Sequence, residues 1–578
     1  MFSSGDVIHS SNRRHRRTWF VAMALLVGLV LGASLVAGCG SSGDGGTAKP
    51  STEPSNTGAQ IAPGEDTEEY GPVAGGIAKG DIDELTWALG DGEPSTLVPW
   101  NSATSTGGAF TVANLCDTLV IMAPDGSIQP DLATKWEQRD PKTLVFTLRD
   151  DVKFWDGKPL TAEDVAYSLN RMMAPDSAGS VFFVNVDTMK ATGPHEVTVK
   201  FKEPDELFLK ELPTFSGGII QKEWSEKAGK DMGTSKAGIM ATGPFKFDHW
   251  TPGQEIVLVR NDDYWNPLFK ARAARVTLKF VPDSTALAQG LASGALDGAW
   301  EIPASIIPRL EKATAGKLYA GPSPTHIGLL RSNPGGVLAD PKVVKALGVA
   351  LDRQAMAEVI FKGAARPSFT RIPTYSWDPE TVDMWQAAYE KYKAASAYDL
   401  EAAKKLLAET DYAGQELVLF IPAGDFTLSQ VAQYVQAQAK LIGMNIAIKP
   451  LQSVQYNEAM QSADARKGTD CSLGRYWNAA VDPLEQLGFD LMPDSFYNYT
   501  QYNNPKVTEL LAKARRTYDA KERTEYLLEA QDIYEAELGD ISLVEVDEIS
   551  FLNNRLAGMP TSFHFLFIPS LALIGAAE

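Results

Sequence analysis

The stretch Gln129-Pro-Asp-Leu-Ala-Thr-Lys-Trp-Glu137, with Lys142-Thr-Leu-Val-Phe-Thr-Leu-Arg149 and Val152-Lys-Phe-Trp-Asp-Gly-Lys-Pro-Leu-Thr-Ala-Glu-Asp-Val165 behind it, carries the chain's clearest structural signal. Leu144, Phe146 and Leu148 alternate with smaller or polar residues, the period of a half-buried strand. Asp156-Gly157 is a hairpin turn pair, because glycine tolerates the left-handed backbone that tight turns need. Thr161 followed three positions later by Asp164 marks a helix start, and Val165, Leu169 and Met172 then share one helical face. Alone, this is a hairpin and a helix with no chemistry required.

Moving outward, the second half supplies a strand, a helix and a strand. Leu417 to Ile421 is a short apolar run, and Thr427 to Ile442 places Val431, Val435 and Ala439 on one face. Gly443 suits the position just past a helix end, and Ile446 and Ile448 alternate with Asn445, Ala447 and Lys449. That order predicts a βαβ unit with parallel strands, hence an α/β lobe. A long amphipathic helix is expected from Pro505 to about Leu538, burying Leu510, Leu511, Leu527, Ile533 and Tyr534. Asp83-Glu-Leu-Thr-Trp-Ala-Leu89 reads as the first strand, and the apolar tail Phe563 to Ala577 as core strand plus terminus. Trp155, Tyr264 and Trp265 read as packing residues.

The first 80 residues differ in kind. Arg13, Arg14, Arg16 and Arg17 precede an apolar run from Trp19, and Val36-Ala37-Gly38 sets small residues before Cys39. The segment resembles a bacterial lipoprotein signal, which implies lipid attachment to Cys39 and cleavage before it; an uncleaved anchor is the alternative. Arg16-Arg17 leaves Sec and twin-arginine export both open. Residues 39–80, rich in Gly, Ser, Thr, Pro and acids, read as a disordered tether to an extracytoplasmic, membrane-anchored body.

At 578 residues the chain calls for two or three domains. Formal charge is -20, and loss of residues 1–38 removes four Arg and one Asp to leave -23. Such a surface argues against nucleic acid as a partner. After Cys39 only Cys116 and Cys471 remain, so there is no disulfide framework, and pairing of the two is left open.

The 129–165 block resembles the signature of the family 5 extracellular solute-binding proteins, the peptide and nickel receptors of ABC importers. The resemblance continues in order through Ala241-Thr-Gly-Pro-Phe-Lys-Phe247, Arg260-Asn-Asp-Asp-Tyr-Trp265, Ser293-Gly-Ala-Leu-Asp297, Ala350-Leu-Asp-Arg353, Tyr398 to Leu407 and Tyr502-Asn-Asn-Pro-Lys-Val507. It implies a two-lobed α/β fold of the periplasmic-binding-protein kind, joined by a hinge. Lobe one would combine 81–110, 241–331 and 546–578 with an inserted domain at 111–240; lobe two would be 332–545. The hinge strands would fall near Ile327 to Asn333 and Ser542 to Val546.

No sequence motif of catalysis is present: no His-Glu-x-x-His, Cys-x-x-Cys, Gly-x-Ser-x-Gly or P-loop, and the four His after Cys39 are scattered. The reading is therefore a non-enzyme with neither cofactor nor metal. It would be a monomer that captures a peptide-like solute by hinge closure and passes it to a permease. A surface sensor or adhesin on the same fold, or a lipid-anchored hydrolase, are the alternatives. Candidate ligand residues are Arg475, Tyr476, Trp477 and Asn478, together with Asn101 and Ser105 in the loop Asn101 to Gly107. In peptide-binding relatives a Trp in the corresponding segment is followed three residues on by an Asp that pairs with the ligand's α-amino group. Here that third residue is Ala480, which leaves Glu301 or Asp482 as substitutes for the amine partner.

Overall fold

The computed structural model describes residues 62–63 and 71–578, apart from 103–104, 124–125, 175–176, 215–216, 334, 478–479, 494, 496–497 and 538–539. Cys39, the signal segment and residues 40–61 and 64–70 lie outside the described residues; the end of the expected disordered tether is instead ordered, with Ala62–Pro63 pairing with strand Gly316–Gly321 and the buried Val73–Ala74 with Met559–Pro560. Strand Ile82–Leu89 sits inside an eight-stranded sheet, where it pairs in parallel with Ala273–Phe280 and Gly298–Ala299. A six-stranded sheet contains Glu416–Pro422, parallel to both Asn445–Leu451 and Cys471–Tyr476. The βαβ unit is thus present, with helix Phe426–Leu441 as its crossover and Gly443 at φ +85°. A four-stranded antiparallel sheet forms from Ala133–Asp140, Thr143–Leu148, Glu196–Phe201 and Val186–Gly193.

The hairpin and helix of 152–172 form as their residues dictate. Phe154 N–H donates to Lys158 O at 2.9 Å, Gly157 has φ +87°, and the Thr161/Asp164 capping box is complete in both directions. Val165, Leu169 and Met172 are fully buried. Three expectations need correction. Strand Thr143–Leu148 is buried on both faces, with Val145 on one and Leu144, Phe146 and Leu148 on the alternate positions all buried. The expected long helix is two, Pro505–Arg516 and Ala520–Ala536. Thr517 is extended, and Asp519 caps the second helix by accepting from Glu522 N–H. The tail folds mainly as two 3-10 turns, Phe563–Leu566 and Ser570–Leu573, packed into the core rather than laid along a sheet. Cys116 and Cys471 are both free and buried. Among the described residues no helix is long and apolar enough to cross a membrane.

The chain passes between the two large sheets at two places. Strand Gly316–Gly321 belongs to the eight-stranded sheet and His326–Arg331 to the six-stranded one; on the return, Ile541–Val546 is followed after a single residue by Glu548–Asn553. Strand His326–Arg331 pairs with Cys471–Tyr476 along its whole length.

Gly298 sets the close approach that brings its strand into the sheet. A methyl there would collide with the Trp87 ring and lie 2.7 Å from Phe551 O. Gly298→Ala is expected to destabilise by about 1–3 kcal/mol, the cost of overpacking a filled core, read as a lower denaturant midpoint at unchanged slope.

Candidate functional site

In open α/β sheets, ligands bind beyond the carboxyl ends of the parallel strands, where backbone ends and loops diverge. Here the carboxyl ends of parallel strands from both sheets meet at one cavity of about 390 Å³. From the eight-stranded sheet come Pro282 and Ser284, which follow Phe280, and Glu301, which follows Ala299. From the six-stranded sheet come Gly424 to Thr427, which follow Pro422, and Arg475 near the end of its strand. The two crossings between sheets close the wall with Ser323, Thr325, Val546, Asp547 and Glu548. A second cavity, beside Cys116, Asp117 and Asp131, measures only about 20 Å³, room for about one water. There the Asp117 carboxylate accepts from Thr242, Tyr264 and Trp265, so those aromatics are packing residues.

Glu301 is held in an unusual way. Its backbone is left-handed, φ +56°, a conformation costing a non-glycine residue roughly 1 kcal/mol or more, and its N–H donates to Glu548 Oε1 at 2.6 Å. The side chain reaches the cavity, where Thr106 Oγ1 donates to Oε1 at 3.3 Å. Surrounding protein raises its carboxyl to about 7, and Asp91 adds to the rise, while Thr106 and the Arg475 charge oppose it. Burial likewise raises Asp91, against the hydrogen bond from Gly107 N–H at 2.8 Å. Burial and the neighbouring Glu301 push Glu548 well up. Asp547 is raised by burial and partly restored by Arg366, whose Nη1 lies 2.7 Å away. Facing these acids is Arg475, already paired with Asp425 at 2.6 Å. Asp425 also caps helix Phe426–Leu441 by accepting from Leu428 N–H, so its position is fixed by the fold. The walls thus present several acids and one cation that has its own counter-ion.

Comparison with known proteins gives the family. A family model described as bacterial extracellular solute-binding proteins, family 5 Middle, matches residues 127–498. The chain belongs to this family. Protein XP55 of Streptomyces lividans is 27% identical over 489 residues, spanning 81% of this chain and 85% of that one. The glutathione-binding protein GsiB of Salmonella typhi is 28% identical over 440 residues, 74% and 83% of the two chains. Among solved structures, the ABC transporter substrate binding protein CtaP of Listeria monocytogenes has a TM-score of 0.74 at 21% identity, covering 86% of this chain and all of that one. DppA of Helicobacter pylori in complex with peptide STSA has a TM-score of 0.69 at 21% identity, covering 86% and 98%. The protein is thus a solute-binding protein with the two-lobed α/β fold, and its family is one of solute capture rather than of sensors, adhesins or hydrolases.

The residues singled out from sequence fall in different places in this solute-binding protein. Arg475 lines the cavity. Tyr476 is half-buried on the other face of the strand, with its ring 4.8 Å from the Arg371 guanidinium and 5.6 Å from His326. Trp477 is 38% exposed, outside the cavity lining, with its ring 5.4 Å from Phe563; Phe563, Phe565 and Trp300 continue the row to the residue before Glu301. Asn478 lies outside the described residues. Asn101 ends the short helix Pro99–Ser102, and Ser105 caps helix Thr106–Leu115 by accepting from Gly108 N–H. It is their neighbour Thr106 that reaches Glu301.

Of the two acids proposed to replace the amine partner, Glu301 is at the cavity and Asp482 is not. Asp482 is fully buried, paired with Lys210 at 2.6 Å and with Arg523, and it caps helix Pro483–Leu491. These cations hold its carboxyl far below the usual range against the cost of burial. Ala480 is buried in an apolar cluster with Leu484 and Leu487, its N–H donating to Glu485 Oε2 at 2.5 Å. An Asp there would meet apolar side chains rather than solute. The cavity residues that sequence reasoning passed over are Asp425, Phe426, Asp547 and Glu548; the signal for Asp425 was its place after a strand and before a helix.

Trp477→Ala is expected to cost about 0.5–1.5 kcal/mol of folding stability, the value of an aromatic pair, because the ring is half exposed. Trp87→Ala, with a fully buried ring, is expected to cost about 3–5 kcal/mol. Denaturant unfolding of the two variants side by side checks the contrast.

Proposed function

We propose that this protein is the lipid-anchored receptor of an ABC importer, closing two lobes over a small solute that carries a positively charged amine. The observation that carries the reading is the 390 Å³ cavity, with Glu301 and Glu548 on its walls, Asp547 paired with Arg366, and the lining cation Arg475 neutralised by Asp425. The volume sits near the lower end of the roughly 300–1,000 Å³ of small-molecule sites, so a short peptide or peptide-like amine fits the space better than an extended chain. A relative binds glutathione and a structural neighbour holds the peptide STSA, and both ligands carry a free amine. The hinge is assigned to residues 322–325 and 547, between the last strand of one sheet and the first of the other. On that division lobe one is 81–110, 241–321 and 548–578 with 111–240 inserted, and lobe two is 326–546. Delivery to permease subunits and anchorage through Cys39 complete the proposal. Trp477 is assigned to the rim of the cleft, where it would touch solute on entry.

Two measurements test this reading. An ammonium binds the ionised Glu301 better than the neutral acid, so binding expels the proton and the free protein holds more protons than the complex. Affinity therefore rises with pH as Glu301 ionises near its free value of about 7 and falls again once the peptide α-amine, with a pKa of about 7.7–8.0, loses its own proton. Tripeptides with free amines should bind about fivefold tighter at about pH 7.4 than at about pH 6. N-acetylated tripeptides should bind weakly at both, and Glu301→Gln should flatten the profile. Calorimetry in buffers of different ionisation enthalpy reads the proton release directly, and a pH-independent wild type with equal affinity for acetylated peptide would refute the amine assignment.

The anchor is checked separately. Cys39→Ala should release the protein from membranes or leave its precursor uncleaved, as read by fractionation and intact mass. A mutant that stays membrane-bound at wild-type mature mass removes the lipid.

A further inference from the structure

A second contact joins the regions on either side of the cleft, away from the solute. Segment Asp205 to Glu211 follows strand Glu196–Phe201 of the four-stranded sheet and docks on helices Pro483–Leu491, Pro505–Arg516 and Ala520–Ala536. Those helices lie in the chain between two strands of the six-stranded sheet, Cys471–Tyr476 and Ile541–Val546. Leu207 enters their apolar cluster beside Leu484, Leu511 and Leu527. Around it, Lys210 Nζ lies 2.6 Å from Asp482 and 3.1 Å from Glu206, Arg515 Nε lies 2.9 Å from Asp205, and Arg523 lies 3.0 Å from Glu206 while also pairing with Asp482. Glu206 N–H donates to Arg515 O at 2.9 Å. None of these residues lines the 390 Å³ cavity.

The contact is built from charges, and some of them are poorly satisfied. Arg523 Nε and Glu206 Oε2 are close without hydrogen-bond geometry, and neither oxygen of the buried Glu211 has a hydrogen-bond partner among the described residues. Burial, with Glu485 nearby, pushes the Glu211 carboxyl well up. Buried ion pairs return little net stability, because desolvation offsets most of their attraction. A permanent core seam would be served better by apolar groups. A contact that must separate into water and re-form is served well by charges, which regain hydration on opening.

We propose that Asp205–Glu211 and these three helices form an ionic latch that engages when the lobes close and sets how much closed form exists without solute. The inference rests on solute capture by lobe closure. Because only the closed form encloses solute, loosening the latch lowers apparent affinity without touching the ligand.

The test is a spin-label distance between Lys190→Cys in the four-stranded sheet and Glu525→Cys on helix Ala520–Ala536, both exposed positions, in full-length protein freed of solute. The closed form should contribute a short-distance population in the otherwise unaltered protein. Asp205→Lys or Arg515→Glu should deplete it and weaken binding of a free-amine tripeptide pool by at least roughly fivefold, the lower range of coupling between distant sites. The double swap Asp205→Lys/Arg515→Glu should restore both. Should a reversal variant fail to fold, Lys210→Met carries the same readout, since Asp482 keeps Arg523. A folded Asp205→Lys or Lys210→Met protein with unchanged distances overturns the latch. If instead the distances lengthen as expected but the peptide pool never shortens them in any variant, the latch stands and the peptide assignment falls.

Discussion

The chain crosses between its two large sheets at residues 322–325 and again at 547, and the site depends on that constraint. Because both crossings lie side by side at one end of the paired strands, the carboxyl ends of the parallel strands in each sheet are brought to the same place. Asp91, Pro282 and Glu301 follow one set of ends; Asp425 and Arg475 belong to the other. Each sheet is a self-sufficient core, with Leu85, Trp87 and Leu278 in one and Leu419, Val435 and Leu473 in the other. The space between them is left for polar groups whose positions the backbone fixes.

That division of labour explains where strain and perturbed acids collect. Glu301 accepts a left-handed backbone because strand Gly298–Ala299 is locked beneath Trp87 and its own N–H is captured by Glu548. Burial raises the carboxyls of Asp91, Glu301 and Glu548, and the neighbouring charge of Asp91 adds to the rise at Glu301 as that of Glu301 does at Glu548.

Sequence alone made the architecture legible where local signals and tertiary packing agree. The Thr161/Asp164 capping box, the Asp156-Gly157 turn and the 417–449 βαβ unit are short-range features that the fold has no reason to override. Misreadings came where long-range packing decides. Val145 looked like the outward face of a strand, yet neighbouring strands and cover bury it. The break at Thr517 inside a continuous amphipathic pattern coincides with a new helix start capped by Asp519, beside an Arg515–Asp205 pair that spans more than 300 residues of sequence. Among site residues, Arg475 could be reached from its motif and Glu301 from its position as a spare acid. Asp547 and Glu548 could not, because their place in the wall follows from a crossing that only the folded sheets define. Tyr476 shows the alternation rule at work: next to Arg475, it must face the opposite side of the strand, and there it lies against Arg371 and His326.

Ala480 gives the departure from the peptide-binding pattern a physical meaning. In this chain the segment after Trp477 turns into helix Pro483–Leu491, and Ala480 is drawn into the apolar cluster beneath that helix. An acid at position 480 would be trapped among Leu484, Leu487 and Tyr534, where an unpaired carboxylate is far costlier than in the cleft. The acid nearby in sequence, Asp482, is consumed by Lys210 and Arg523. On the proposed amine reading, the negative charge comes from the opposite wall, where Glu301 stands on a backbone turn at the end of a strand in the other sheet.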